Sequence, residues 1–218
     1  MQIKRNILLN PGPATTTNTV KMAQVVPDLC PREKEFTLVL RQLCEGLVKV
    51  VHGNLDRYVC VLFCGSGTMA MDMCINSLLP DGKKILIINN GTYSMRAVEI
   101  CEYYSLPFVN FQCPIDELPD LDKVEQILKE SQDIALVYTT HNATPILCKS
   151  FEFRADIIVH SISKYMDGHA VQIGGAIVDS GKFDWTNGRF PDLTEPDESC
   201  HGISYTETYG EKAYYSGG

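Results

Sequence analysis

The sequence predicts an α/β fold with a mostly parallel sheet and flanking helices, on two observations. Between residues 58 and 130 a short apolar run, a turn and a stretch of helical period follow one another three times. The runs themselves are nearly all apolar, as in Val59-Cys60-Val61-Leu62-Phe63, which suits strands covered on both faces. Such alternation implies right-handed crossovers and places the functional edge at the C-terminal ends of the strands.

In chain order, the opening LLNPGPATTT is a proline- and glycine-containing arm that cannot be helical. Phe36, Val39, Leu40, Leu43, Leu47 and Val50 then recur at helical spacing and predict a long amphipathic helix over 34–50. A buried strand over 58–63 runs into Gly65-Ser66-Gly67-Thr68, followed by a helix over 69–79. The cycle repeats as strand 84–89, the turn Asn90-Gly91 and helix 93–104, and again as strand 107–111 and helix 121–130, before a strand at 134–138. Beyond Pro145 the texture changes. Strands at 156–160 and 173–179 are separated only by the polar loop 161–168, too short for a helical crossover, so these two neighbours are expected to be antiparallel. From Lys182 onward the chain reads as loop. The expected organisation is an N-terminal arm and long helix over 1–50, an α/β domain over 51–181 and a loop-rich tail over 182–218.

With 218 residues the chain can bury one substantial core. A net charge of -8 and a pI of about 5.1 disfavour nucleic acid or an anionic membrane as partner and favour small-molecule chemistry. The first residues have neither the length nor the apolar content of a leader or a membrane span, which points to the cytoplasm. Nine cysteines, odd in number and set mostly in apolar runs, read as small buried hydrophobes; no CxxC pair or histidine pair suggests a metal. His160 and His169 read as loop or core residues, and Trp185 as a packing residue.

Three features carry chemistry. Gly65-Ser66-Gly67-Thr68 places hydroxyls and backbone N–H groups at a helix N-terminus, which can hold a phosphate dianion, although an ordinary Ser or Thr cap has the same sequence. Ser161-Ile162-Ser163-Lys164 puts an amine among hydroxyls at the end of a strand, where partial desolvation would favour the neutral amine that a Schiff-base nucleophile needs. Tyr93, after another strand, offers a flat face for an aromatic cofactor ring.

These residues also carry a resemblance. Over about 4–142 the segments LLNPGPATTTNTVK, VVPDLCPREKEF, VLFCGSGTMA, INNGTYSMR and VYTTHN resemble 2-aminoethylphosphonate–pyruvate aminotransferase. Over about 143–210 the segments ATPILCKSFEFRADIIVHSISKYMDGH, IGGAIVDSGKFDW, LTEPDESCHG and YTETYGE resemble O-acetylhomoserine sulfhydrylase, of the Cys/Met metabolism group. Both are fold-type-I pyridoxal 5'-phosphate (PLP) transferases, so the chain looks like a composite with its junction near 143. The resemblance implies the large-domain fold of that class, with the small C-terminal domain missing after Gly218. It implies PLP as cofactor, Lys164 as the Schiff-base lysine, and Ser66, Gly67, Thr68, Ser161 and Ser163 on the cofactor phosphate with Tyr93 over the ring. It further implies an amino donor and a keto acid as small-molecule partners, and a homo-oligomer. The expected activity is phosphonate transamination; sulfur amino-acid synthesis of the sulfhydrylase kind and a non-catalytic remnant remain as alternatives. One departure bears on all three. The aspartate that keeps the pyridine nitrogen protonated in the sulfhydrylase pattern falls on Thr139, and Asp133 lies at the wrong end of its strand to replace it.

Overall fold

The computed structural model describes residues 7, 15–56, 58–141, 148–162, 164, 174–210 and 213. In chain order the helices and strands are α1 (Asn18–Met22), α2 (Lys34–Val50), β1 (Val59–Phe63), α3 (Gly67–Leu78), β2 (Lys84–Asn89), α4 (Thr92–Tyr103), β3 (Phe108–Gln112), α5 (Leu121–Glu130), β4 (Ile134–Thr139), β5 (Ile157–Ser161), β6 (Gly175–Asp179), α6 (Pro191–Thr194) and α7 (Tyr205–Tyr209). This is the α/β architecture that the alternating pattern predicts. The chain divides into two compact units, 1–70 with 149–181 and 71–148 with 182–218, the division falling inside α3.

In the first unit β6 is the central strand, antiparallel to β1 on one side and to β5 on the other. The antiparallel pairing of β5 with β6 is the arrangement that their short connection requires. All five residues of β6 are buried, as a central strand demands. Side chains alternate across this sheet. Cys60 and Ala176 lie on the face covered by the last turns of α2, in a core with Leu47 and Val48, against which Leu62 and Ile162 also pack. The apolar stripe of α2 is only partly used. Leu38, Val39, Leu40 and Leu43 stay exposed while Leu47 and Val48 are buried.

In the second unit β2 is central and parallel to both β3 and β4. Leu86 and Ile88 face Val124 and Ile127 of α5. Ser94, Ala97, Val98 and Cys101, at helical spacing, are the buried stripe of α4. Asp120 caps α5 by accepting a hydrogen bond from the Lys123 N–H at 3.2 Å, which fixes where that helix begins.

Residues 182–218, read as loop, carry the short helices α6 and α7 and a 3-10 turn at Glu198–Cys200. Their local signals are Pro191 at the start of α6, and Asp197 and Ser204, whose side chains accept from the N–H groups of Ser199 and Glu207. Such caps are too short-ranged to show as a periodic pattern. Trp185 packs as expected, buried against Phe183 and Phe190 with ring centroids 4.7 and 5.0 Å away. Cys60, Cys74, Cys101 and Cys113 are buried as read, whereas Cys30 and Cys64 are exposed.

Candidate functional site

The register of the first sheet brings two strand ends together. Phe63, the last residue of β1, and Ser161, the last of β5, both pair with Gly175 at the start of β6. The chain leaves β1 through Gly65 and Ser66 into α3, so the Ser66-Gly67-Thr68 turn stands at the same edge as Ser161.

Glycine is what permits this approach. A Cβ on Gly67 would meet the Ser161 Cβ at 2.5 Å, its Cα at 2.7 Å and its Oγ at 2.8 Å. A Cβ on Gly175 would meet the Ser66 carbonyl oxygen at 2.7 Å and the Ala70 Cβ at 2.8 Å. Position 175 was not among the residues singled out from sequence. Its signal is the glycine pair at 174–175 opening an otherwise apolar strand, the pattern of close backbone approach.

Ser66 caps α3. Its Oγ accepts a hydrogen bond from the Met69 N–H at 3.2 Å, and its carbonyl accepts from the Ala70 N–H at 3.1 Å. The capping alternative is therefore realised. The N–H groups of a first helical turn have no acceptor within the helix, and the positive end of the helix dipole favours negative charge there. Two serine hydroxyls, a glycine cradle closed to any side chain and the N-terminus of a twelve-residue helix match the chemistry of a phosphate group.

Lys164, half-buried, follows Ser161 by one short step of chain. Ser163 lies outside the described residues, as do His169 and Asn142. His160, on β5, is buried; its Nε2 has no hydrogen-bond partner and burial pushes its pKa down to about 4, so it is a neutral core residue. At the opposite end of this sheet Asp179 is buried with one oxygen unpartnered. Burial first, and the nearby Asp156 charge, push its carboxyl up to about 6 against a hydrogen bond from the Gly181 N–H at 2.9 Å.

The second unit, taken by itself, has a polar edge of its own. Tyr93, in the first turn of α4, is 40% exposed, and the Arg96 guanidinium lies 5.4 Å from its ring centre. Asn90, read only as a turn residue, does more. Its Nδ2 donates to the Thr140 carbonyl at 2.9 Å and its Oδ1 accepts from the buried Ser94 hydroxyl, tying the turn before Tyr93 to the end of β4. Thr139 is exposed at that end of β4, paired in register with Ile88. Asp133 lies at the other end, in a 2.7 Å salt bridge with Lys84 whose hydrogen bond holds its carboxyl below the usual range. It cannot stand in for a charge at position 139.

Fold and sequence comparisons agree on the class. Residues 109–194, which include Ser161 and Lys164, match the model of the Cys/Met metabolism PLP-dependent enzymes. The fold is that of the PLP aminotransferases: pyridoxamine-pyruvate aminotransferase from Mesorhizobium loti superposes over 96% of this chain and 58% of its own, with a TM-score of 0.69 at 17% identity. Among individual relatives, the bifunctional phosphonoacetaldehyde hydrolase/aminoethylphosphonate transaminase of Clostridioides difficile (strain 630) is 36% identical over 138 residues, 63% of this chain and 22% of that protein. O-acetyl-L-homoserine sulfhydrylase of Leptospira meyeri is 39% identical over 98 residues, 45% of this chain and again 22% of the relative. The chain thus spans about a fifth of the length of each of these relatives, and both branches named by the resemblance are represented.

Proposed function

We propose that this chain is the cofactor-holding part of a PLP-dependent transferase, with phosphonate transamination as its leading activity. The observation that carries the reading is the contact of Gly67 with Ser161, which sets the glycine turn of β1–α3 beside the segment that ends in Lys164.

When bound, PLP would supply an electron sink for breaking a bond at the α-carbon of an amino substrate. In this reading Lys164 is the amine that would hold the cofactor and the group that would take up and return a substrate proton. Ser66, Ser161 and Ser163, by their hydroxyls, and Gly67 and Thr68, by their backbone N–H groups, are the residues that would hold the phosphate. Tyr93 supplies a flat surface for the ring. Thr139 falls in the sequence column of the aspartate that would keep the pyridine nitrogen protonated, and without that charge the electron sink would be weaker. That substitution supports the third reading, a binding module that retains cofactor without turnover. The sulfhydrylase reading is supported by the family match across residues 109–194.

The partners that follow are an amino donor and a keto acid. The exposed apolar residues of α2 support a homo-oligomer, and the acidic composition supports a cytoplasmic place; among the described residues no helix is long and apolar enough to cross a membrane.

The test is borohydride reduction of the PLP-loaded chain followed by tryptic mapping. A pyridoxyl group on Lys164 blocks cleavage there and yields a single modified peptide spanning 155–182, absent in Lys164→Ala. No modified peptide, or the same modification in Lys164→Ala, overturns the proposal. Alanine formed from pyruvate with 2-aminoethylphosphonate supports the leading activity, homocysteine formed from O-acetylhomoserine with sulfide the second, and neither, with Lys164 modified, the third.

A further inference from the structure

The first turn of α4 stands on a fixed base. Asn90 is tied to the Thr140 carbonyl and the Ser94 hydroxyl, and the Met95 N–H donates to the Gly91 carbonyl at 3.0 Å. Ser94, Ala97, Val98 and Cys101 seat the helix from its buried side. The backbone at Tyr93 is therefore held in place. Its side chain is less constrained, because the ring lies outside that buried stripe and is 40% exposed, so core packing alone does not choose among its rotamers.

Arg96 bears directly on this ring. It follows Tyr93 by three residues, on the same side of the helix, and its guanidinium carbon lies over the ring at 5.4 Å from the centre. A delocalised cation in that position is attracted by the negative π-surface, and the attraction is lost when the ring swings away.

We propose, resting on the reading that sets Tyr93 over the cofactor ring, that Arg96 is a positioning residue: it holds one face of the Tyr93 ring so that the rest is presented to pyridoxal phosphate. Arg96 touches neither cofactor nor substrate in this role and acts through the tyrosine. A ring that samples several rotamers offers its flat surface only part of the time, and apparent affinity falls with the fraction that is competent. An exposed cation–π contact shifts such a population by roughly two- to five-fold, and its loss weakens cofactor binding by the same factor.

The contact is tested first in the chain without cofactor. The Arg96 side-chain protons should be shifted upfield in NMR by the Tyr93 ring, a shift kept in Tyr93→Phe and lost in Tyr93→Leu. Equilibrium dialysis with pyridoxal phosphate then reads the consequence. Arg96→Met should bind roughly two- to five-fold more weakly than wild type, and Arg96→Lys, which keeps a cation, should fall between. Arg96 is exposed, so neither replacement should disturb folding, which thermal melting of the same samples checks.

A double-mutant cycle separates positioning from a direct effect of charge on the cofactor phosphate. Arg96→Met should weaken binding again in the Tyr93→Phe background and have no effect in Tyr93→Leu, where no ring is left to hold. The same loss in Tyr93→Leu as in wild type, or wild-type affinity in Arg96→Met, overturns the proposal. A wild-type chain that takes up no cofactor overturns the parent reading and this role with it, whereas uptake with additive losses overturns the role of Arg96 alone.

Discussion

Gly67 lies so near Ser161 that any side chain at position 67 would have to displace the end of β5. The nearest atoms include backbone as well as side chain, so a rotamer change cannot relieve the clash. Gly67→Ala is therefore expected to cost about 1–3 kcal/mol and to weaken pyridoxal phosphate binding as well. Gly46, inside α2, is the control, because a Cβ there would meet nothing within 4 Å. Gly46→Ala should stabilise the chain by about 0.5–1 kcal/mol and leave binding unchanged. Urea denaturation and a spectroscopic cofactor titration on both variants separate the two effects.

Much of this arrangement was legible in the sequence, and for a definite reason. Helix 34–50 and strand 84–89 coincide with α2 and β2 because a change of apolar period marks their ends. The antiparallel placement of β6 followed from the short connection alone. Ser66 and Ser161 could be named as neighbours only through motif chemistry, since nothing in the local pattern says which strands share Gly175. Asn90 was read as a turn residue because its partner at Thr140 is distant in sequence, and sequence patterns report local neighbours only.

Asn90 joins the turn before α4 to the residue following β4, and its loss should be felt at both. Asn90→Ala removes the donor to the Thr140 carbonyl and the acceptor for the buried Ser94 hydroxyl. A destabilisation of about 1–3 kcal/mol is expected. Asn90→Asp keeps an acceptor for Ser94 but not the donor to Thr140, and should fall between wild type and Asn90→Ala in chemical denaturation.

Trp185 is the only tryptophan and is buried in an aromatic cluster, so it reports on its surroundings without competition. Its fluorescence emission should be blue-shifted in the folded chain and move to the red in denaturant. Trp185→Ala should cost about 3–5 kcal/mol, and Trp185→Phe distinctly less, because the edge-to-face contact with Phe190 can be kept.

His160 and Asp179 sit in the same three-stranded sheet and respond to pH in opposite senses. The folded pKa of Asp179 is raised from 3.8 to about 6, so between these values the folded state binds more protons than the unfolded one, and stability falls as pH rises. The folded pKa of His160 is lowered from 6.5 to about 4, so over nearly the same window the unfolded state binds more protons and stability rises with pH. Each shift corresponds to a swing of roughly 3 kcal/mol, and the two nearly cancel in the wild-type chain. Removing either group should uncover the other. Asp179→Asn, which keeps an acceptor for the Gly181 N–H, should become more stable from pH 4 to 6.5, while His160→Asn should become less stable from pH 4 to 6. Urea denaturation across that range is the measurement. A flat profile in either variant would mean that the group left behind does not titrate between its folded and unfolded values, and that burial in this sheet perturbs it far less than its surroundings require.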